Sequence, residues 1–288
     1  MSRPPFLTLP AGARGHRLRT ARGEFAVHDV RPFSAARGTV LLLPGFTGSK
    51  EDFIALLEPI AAAGFRAVAV DGRGQYESPG PRQEAAYQQD ELAKDALAQA
   101  TALTATTEDP VHLLGHSLGG LIARAALLRD PGAFASLTIM SSGPAAISAT
   151  QQARTKLLID ALTVMDMESV WQAMRELDPP EAADEASPPD VREFLHQRWI
   201  GTVPEQLIAT GRQLNGEPDR VGELAGVRMP THVLSGEVDY AWPVALMDEM
   251  AERLSARRTV IAGAGHSPNA EEPQATAEAL TAFWRSLG

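Results

Sequence analysis

Two kinds of hydrophobic pattern alternate along the chain. One is a short, mostly apolar run. Thr39 to Leu43 is the first, and Phe65 to Val70, Val111 to Leu114 and Leu137 to Met140 follow. Runs of this length, rich in Val, Ile and Leu, predict strands buried on both faces of a sheet. The other pattern is apolar side chains at helical spacing, as at Phe53, Leu56, Leu57 and Ile60. Ser49, with Asp52 three residues on, is suited to start that helix, and Gly64 to end it. Residues 84–104 form an Ala-rich helix with Leu92, Leu97 and Leu103 inward. Leu121, Ala125 and Leu128 mark another, stopped before Pro131. The rhythm resumes near Asp219 with a short helix. A strand at 231–235, a helix at 243–254, a strand at 258–262 and a last helix from about Pro273 follow. Such alternation predicts the α/β class, a mostly parallel central sheet with helices on both faces.

Two stretches depart from that rhythm. His16 to Thr20 alternates, Ala21 to Glu24 reads as a turn, and Phe25-Ala26-Val27 follows. This predicts a hairpin of two edge strands at the start of the sheet. Residues 144–218 contain helix-favouring sequence, with Met165, Met167, Met174, Trp171 and Trp199, and no buried strand. Pro179-Pro180 and Pro188-Pro189 punctuate it as loops. The expected organisation is a core of residues 1–143 and 219–288 with a helical insertion at 144–218.

Composition narrows the chemistry. The 288 residues are 44% hydrophobic and 22% charged, which fits one globular domain with an insertion and excludes disordered or fibrous classes. Cysteine is absent. Thiolate catalysis, disulfides and Cys-ligated metals are therefore excluded, and a reducing, cytoplasmic setting is expected. The net charge of −10 disfavours a nucleic-acid partner. Positive charge concentrates in residues 1–37, where seven arginines face only Glu24 and Asp29. That start could pass for a transit peptide, but the hairpin pattern explains it better. The longest uncharged run, between Asp130 and Arg154, is too polar to cross a bilayer. Stable membrane insertion is not expected.

Candidate catalytic residues lie at three predicted strand ends. Gly115-His116-Ser117-Leu118-Gly119-Gly120 joins an apolar strand to a helix. A sharp strand-to-helix turn leaves no room for side chains two residues either side of its centre. Glycines at 115 and 119 meet that need and leave Ser117 exposed at the carboxyl end of the sheet. A serine hydroxyl needs a base to take its proton. His266, in Gly263-Ala264-Gly265-His266-Ser267-Pro268 after the last strand, is the best placed of seven histidines. The base in turn needs an acid to hold its tautomer. Asp239 follows the strand at 231–235, with Glu237 as the fallback. The order Ser117, Asp239, His266 matches this architecture.

These motifs resemble the α/β-hydrolase superfamily, in its branch of single-domain serine hydrolases with a helical cap. The resemblance runs from about residue 16 to 288, excepting the insertion, where only helical character matches. It implies an oxyanion hole made by the backbone N–H groups of Phe46 and Leu118. Pro44 stands where the family usually has histidine, and this removes a side chain that often braces the loop. Gly74-Gln75-Tyr76-Glu77-Ser78 also departs from the usual Gly-x-Gly-x-Ser turn with histidine, so Gln75 and Tyr76 are expected to reshape the pocket.

The implied activity is hydrolysis of carboxylic esters with small to medium apolar acyl groups, through an acyl-enzyme on Ser117. A small-molecule ester is the expected partner, and no cofactor or metal is required. His112 and His116 have a zinc-like spacing but lie on a strand and its turn, without a third ligand. The same triad also serves lactonases, thioesterases, amidases or peptidases, C–C bond hydrolases, perhydrolases and acyltransferases. A peptidase would use an acidic cluster such as Glu181, Asp184, Glu185 and Asp190. A non-catalytic ligand receptor on this fold would usually lack a triad member. A surface-active lipase would want a less charged insertion. Trp171, Trp199 and the insertion's methionines are read mostly as its own core, Tyr240 and Trp242 as possible flanks of the site, and His196 as a surface residue.

Overall fold

The computed structural model describes residues 2–105, 109–177 and 188–288. Glu181, Asp184 and Glu185 lie outside the described residues. The described residues form one eight-stranded sheet in the order β1-β2-β4-β3-β5-β6-β7-β8. The strands are β1 (Ala13–Thr20), β2 (Gly23–Val30), β3 (Thr39–Leu43), β4 (Arg66–Val70), β5 (Val111–His116), β6 (Ser136–Met140), β7 (Thr231–Gly236) and β8 (Arg257–Ile261). All pairs from β4 to β8 are parallel. The hairpin β1–β2 is antiparallel, and β2 joins the sheet antiparallel to β4. Only β1 of that hairpin is an edge strand. β2 lies between two partners, and all of it from Phe25 to Val30 is buried.

Strand pleating explains why the apolar runs are continuous. Val40 and Leu42 point to one face, where they pack with α1 (Ile54–Ala62) and the last helix. Leu41 and Leu43 point to the other face, toward α2 (Gln89–Thr104) and α3 (Leu118–Arg129). Both faces are covered, so Val40 to Leu43 are apolar without alternation.

Between β6 and β7 the described residues contain helices only. They are α4 (Ala149–Val164), α5 (Met167–Leu177), α6 (Pro189–Gly201), α7 (Pro204–Gly216) and the short α8 (Val221–Ala225). Ile159, Leu162, Val170, Trp199, Leu207 and Ile208 give this region a small core of its own. After β7 come α9 (Val244–Arg253), α10 (Pro268–Glu271) and α11 (Pro273–Arg285). No described helix is long and apolar enough to span a membrane.

Candidate active site

The turn that carries Ser117 is built by steric exclusion. Ser117 has φ 55° and ψ −119°, between the end of β5 and the first residue of α3. A non-glycine residue with positive φ is strained and persists only where its surroundings dictate it. A Cβ on Gly115 would overlap the Gly119 carbonyl, and one on Gly119 would overlap the carbonyls of Leu43 and Pro44. The helix can therefore start hard against the sheet only if both residues are glycine. The backbone N–H of Ser117 donates to the Met140 carbonyl at 2.9 Å, which ties the turn to β6.

His266 and Asp239 reach this serine from loops after β8 and β7. Ser117 Oγ is 3.0 Å from His266 Nε2. His266 Nδ1 lies 2.9 and 2.8 Å from the two oxygens of Asp239. A carboxylate accepts only, so Nδ1 carries the proton and Nε2 presents its lone pair to the serine hydroxyl. Asp239 is fully buried on its side chain. One of its oxygens also accepts the N–H groups of Ala241 (2.7 Å) and Trp242 (3.1 Å). The two loops approach closely because residue 236 is glycine: a Cβ there would overlap the carbonyls of Ala264 and Gly265. Glu237 points elsewhere, accepting the Gly263 N–H at 2.9 Å.

His116 completes the support of the base. Its Nε2 donates to the His266 carbonyl at 2.8 Å, and the two rings are 5.1 Å apart. Burial, then repulsion from His266, pushes its pKa down to about 3. It stays neutral, so it adds no positive charge beside the base. Tyr240 also packs on His266, with ring centroids 4.7 Å apart. Trp242 lies 6.4 Å from the same ring and is fully buried.

The loop Pro44 to Ser49 faces the nucleophile from β3. A Cβ on Gly45 would stand 3.3 Å from Ser117 Cβ. Among the described residues, neither the Phe46 nor the Leu118 N–H has a protein acceptor. Leu118 N–H is in addition at the N-terminus of α3, where orphan amides and the helix dipole favour negative charge. The expected capping at Ser49 takes a different form. Asp52 Oδ2 accepts the Ser49 N–H at 3.3 Å, but the Ser49 hydroxyl donates to Glu51 at 2.6 Å. A short 3₁₀ turn, Lys50–Phe53, precedes α1.

A cavity of about 1310 Å³ opens above Ser117 and His266. Its apolar wall comes mainly from the helices between β6 and β7, including Leu158, Ala161, Trp171, Met174, Trp199 and Leu214. Trp171, Met174 and Trp199 thus serve both the small core and the cavity. His196 also lines it and is held by Glu168 at 2.7 Å, so it is more than a surface residue. Gln75 and Tyr76 do not line the cavity, contrary to expectation. Tyr76 takes φ 41° and packs edge-on against Phe194 of α6. His112 is buried in β5, bonded to Ser136 at 2.8 Å, and no metal-ligating cluster occurs among the described residues.

One contact had no signal in the sequence. Arg198 of α6 is 1% exposed and reaches Asp52, itself fully buried, at 2.7 Å. It also donates to the Ser2 carbonyl at 2.7 Å. Arginine and aspartate 146 residues apart carry no local pattern that would pair them.

A family model described as the alpha/beta hydrolase fold matches residues 38–273. A protein of Variovorax paradoxus (strain S110), provisionally named the carbamate hydrolase RutD, is 36% identical over 103 residues, or 36% of this chain and 37% of that one. The chain thus spans little more than a third of that relative. The pimeloyl-[acyl-carrier protein] methyl ester esterase of Aeromonas hydrophila is 27% identical over 190 residues, 64% of this chain and 74% of that one. Among solved structures, a thermophilic esterase from Thermogutta terrifontis superposes with a TM-score of 0.75 at 23% identity, covering 96% of this chain and 99% of that one. At that identity the likeness speaks to the fold.

Proposed function

We propose that this chain, which belongs to the α/β-hydrolase fold family, is a carboxylesterase-like enzyme that cleaves carboxylic esters through an acyl-enzyme on Ser117. Ser117 Oγ attacks the ester carbonyl while His266 Nε2 takes its proton. Asp239 keeps the imidazole oriented and stabilises the imidazolium. The N–H groups of Phe46 and Leu118 hold the oxyanion of the tetrahedral intermediate. His266 then protonates the departing alkoxide, and a water repeats the sequence to release the acid. The observation that carries this reading is the 3.0 Å approach of Ser117 Oγ to a His266 already held by Asp239.

The substrate is a small-molecule ester with an apolar acyl group of small to medium size. The apolar cavity wall supports the chemistry of that group, and a volume above the usual ~300–1,000 Å³ range of ligand pockets tolerates bulk beyond it. The ester name of the Aeromonas relative points the same way. Residues 144–218 act as a cap over a core of residues 1–143 and 219–288, and the cap sets acyl selectivity.

The test is hydrolysis of p-nitrophenyl esters from acetate to palmitate. Turnover is expected to fall by at least about 10⁴-fold in Ser117→Ala, and the preferred chain length sizes the pocket. Equal turnover by Ser117→Ala overturns the reading.

A further inference from the structure

We infer that Gln75 is a positioning residue that aims the oxyanion hole. This goes beyond the proposed function but rests on its reading of the Phe46 N–H as a donor. That N–H shares a peptide unit with the Gly45 carbonyl. The peptide is planar and trans, so its N–H and C=O point in opposite directions. Whatever grips the Gly45 oxygen therefore sets where the Phe46 N–H points.

Two donors grip that oxygen. One is the Gly48 N–H at 3.1 Å, a local bond within the loop. The other is Gln75 Nε2 at 2.8 Å, from the loop after β4, thirty residues away. Gln75 is 4% exposed. Its Oε1 accepts the Gly72 N–H at 2.9 Å, which fixes the end of the amide that faces Gly45. Its own backbone is also held. The Gln75 N–H donates to the Gly72 carbonyl at 2.9 Å, and the Ser78 N–H donates to the Gln75 carbonyl at 2.8 Å. Ser78 Oγ donates to the Asp71 carbonyl at 2.8 Å and accepts the Ala26 N–H at 2.9 Å, which ties the turn to β2. The amide is thus fixed to the sheet at one end and to the oxyanion loop at the other.

The need for such a brace lies in the loop itself. Gly45 has no Cβ to restrict its backbone, and it sits directly against the nucleophile. A rotated Gly45–Phe46 peptide would present its carbonyl oxygen, not its N–H, to the developing negative charge. Gln75 does not line the cavity, so it acts through Phe46 and not on bound substrate. An interaction realised at the transition state alters kcat and leaves KM alone.

The experiment compares p-nitrophenyl butyrate hydrolysis by the parent, Ser117→Ala, Gln75→Leu and Gln75→Glu over a range of pH. Gln75→Leu is expected to lower kcat by about 10- to 100-fold, below the roughly 10²–10³-fold cost of removing a donor outright. Its KM should stay within about twofold of the parent. Gln75→Glu keeps the shape and the acceptor for Gly72. Its protonated carboxyl can donate to Gly45, and its carboxylate cannot. Its kcat relative to the parent should therefore fall as pH rises, while the Gln75→Leu ratio stays flat. A charge that merely stabilised protonated His266 would give a ratio that rises with pH. An active parent, a dead Ser117→Ala and a Gln75→Leu at parental kcat would overturn this inference and leave the esterase reading intact. So would a change confined to KM. An inactive parent, or an active Ser117→Ala, would remove the esterase reading and this inference with it. If Gln75→Leu does not fold, the Gln75→Glu ratio decides, and a flat or rising profile counts against the inference.

Discussion

The turn that carries Ser117 and the loop that carries Phe46 meet at the border of one cavity, yet they are held by different means. The turn at Gly115 to Gly120 is shaped by exclusion: the carbonyls of Leu43, Pro44 and Gly119 leave no space for side chains. The loop at Pro44 to Ser49 is shaped by attachment. Gln75 holds the Gly45 carbonyl, Asp71 accepts the Lys50 N–H at 2.7 Å, and Arg198 holds Asp52. Exclusion needs only small residues at fixed spacing. Attachment needs donors supplied from elsewhere in the chain. The turn at Ser117 therefore leaves a local mark in the sequence, small residues at fixed spacing, whereas the direction of the Phe46 N–H depends on partners that the whole fold supplies.

The sharpest way to break this contrast is Gly119→Ala. Its new methyl would meet backbone on β3 that cannot move without disrupting the sheet. A loss of more than about 4 kcal/mol is expected, enough to leave little folded protein. Soluble yield and the urea midpoint measure it. A near-parental midpoint would show that attachment, not exclusion, shapes the turn.

Attachment is probed next by Arg198→Leu. Removing one partner of a buried pair leaves Asp52 uncompensated, at a cost of about 3 kcal/mol or more. Adding Asp52→Asn should recover part of it, because the orphan charge is gone. Denaturation midpoints of the two variants decide the matter. If the double variant is no better than the single, Arg198 contributes packing instead of charge pairing.

The smallest effect concerns protons. β5 buries His112, whose pKa is pushed down to about 4 by desolvation, beside His116 at about 3. Both lie below the ~6.5 of an unfolded histidine. The unfolded chain then binds protons that the folded chain refuses. Their stabilisation is complete above about pH 6.5 and is lost as pH falls toward the folded values, by ~1.4 kcal/mol per pH unit for each histidine. His112→Gln should flatten the stability profile between about pH 6.5 and 4.5 by one such increment. Urea midpoints across that range provide the check; an unchanged slope would mean that His112 is not refused its proton.

Much of the fold was legible because its signals are short-range. The fully buried β3, β4, β5 and β6 show as short, mostly apolar runs, interrupted by few polar residues such as Arg66, His112 and Thr138. Ser117, Asp239 and His266 were legible as well, since each stands at a strand end, and the structure brings them within hydrogen-bonding distance. Gln75 was visible only as a departure from a familiar turn, and its direction was misjudged: it points at the Gly45 carbonyl and not into the cavity. His196 reads as a surface residue because charged Arg192 and Glu193 precede it by one turn, yet these residues and Trp199 line the cavity with it.

The sequence by itself determined the α/β alternation and the place of the sharp strand-to-helix turn at Ser117. Those features are written in side-chain size and polarity over a few residues, although the crowding at the turn comes partly from β3, whose Leu43 and Pro44 carbonyls a Gly119 Cβ would meet. The tertiary structure decided which carbonyl Gln75 holds, which carboxylate Arg198 pairs with and which tryptophans face the cavity. These depend on groups far apart in the chain meeting within about 3 Å, and a hydrogen bond is lost with a misplacement of one ångström. No local pattern encodes so short a distance between distant residues; only the packed sheet and the helices over it bring it about.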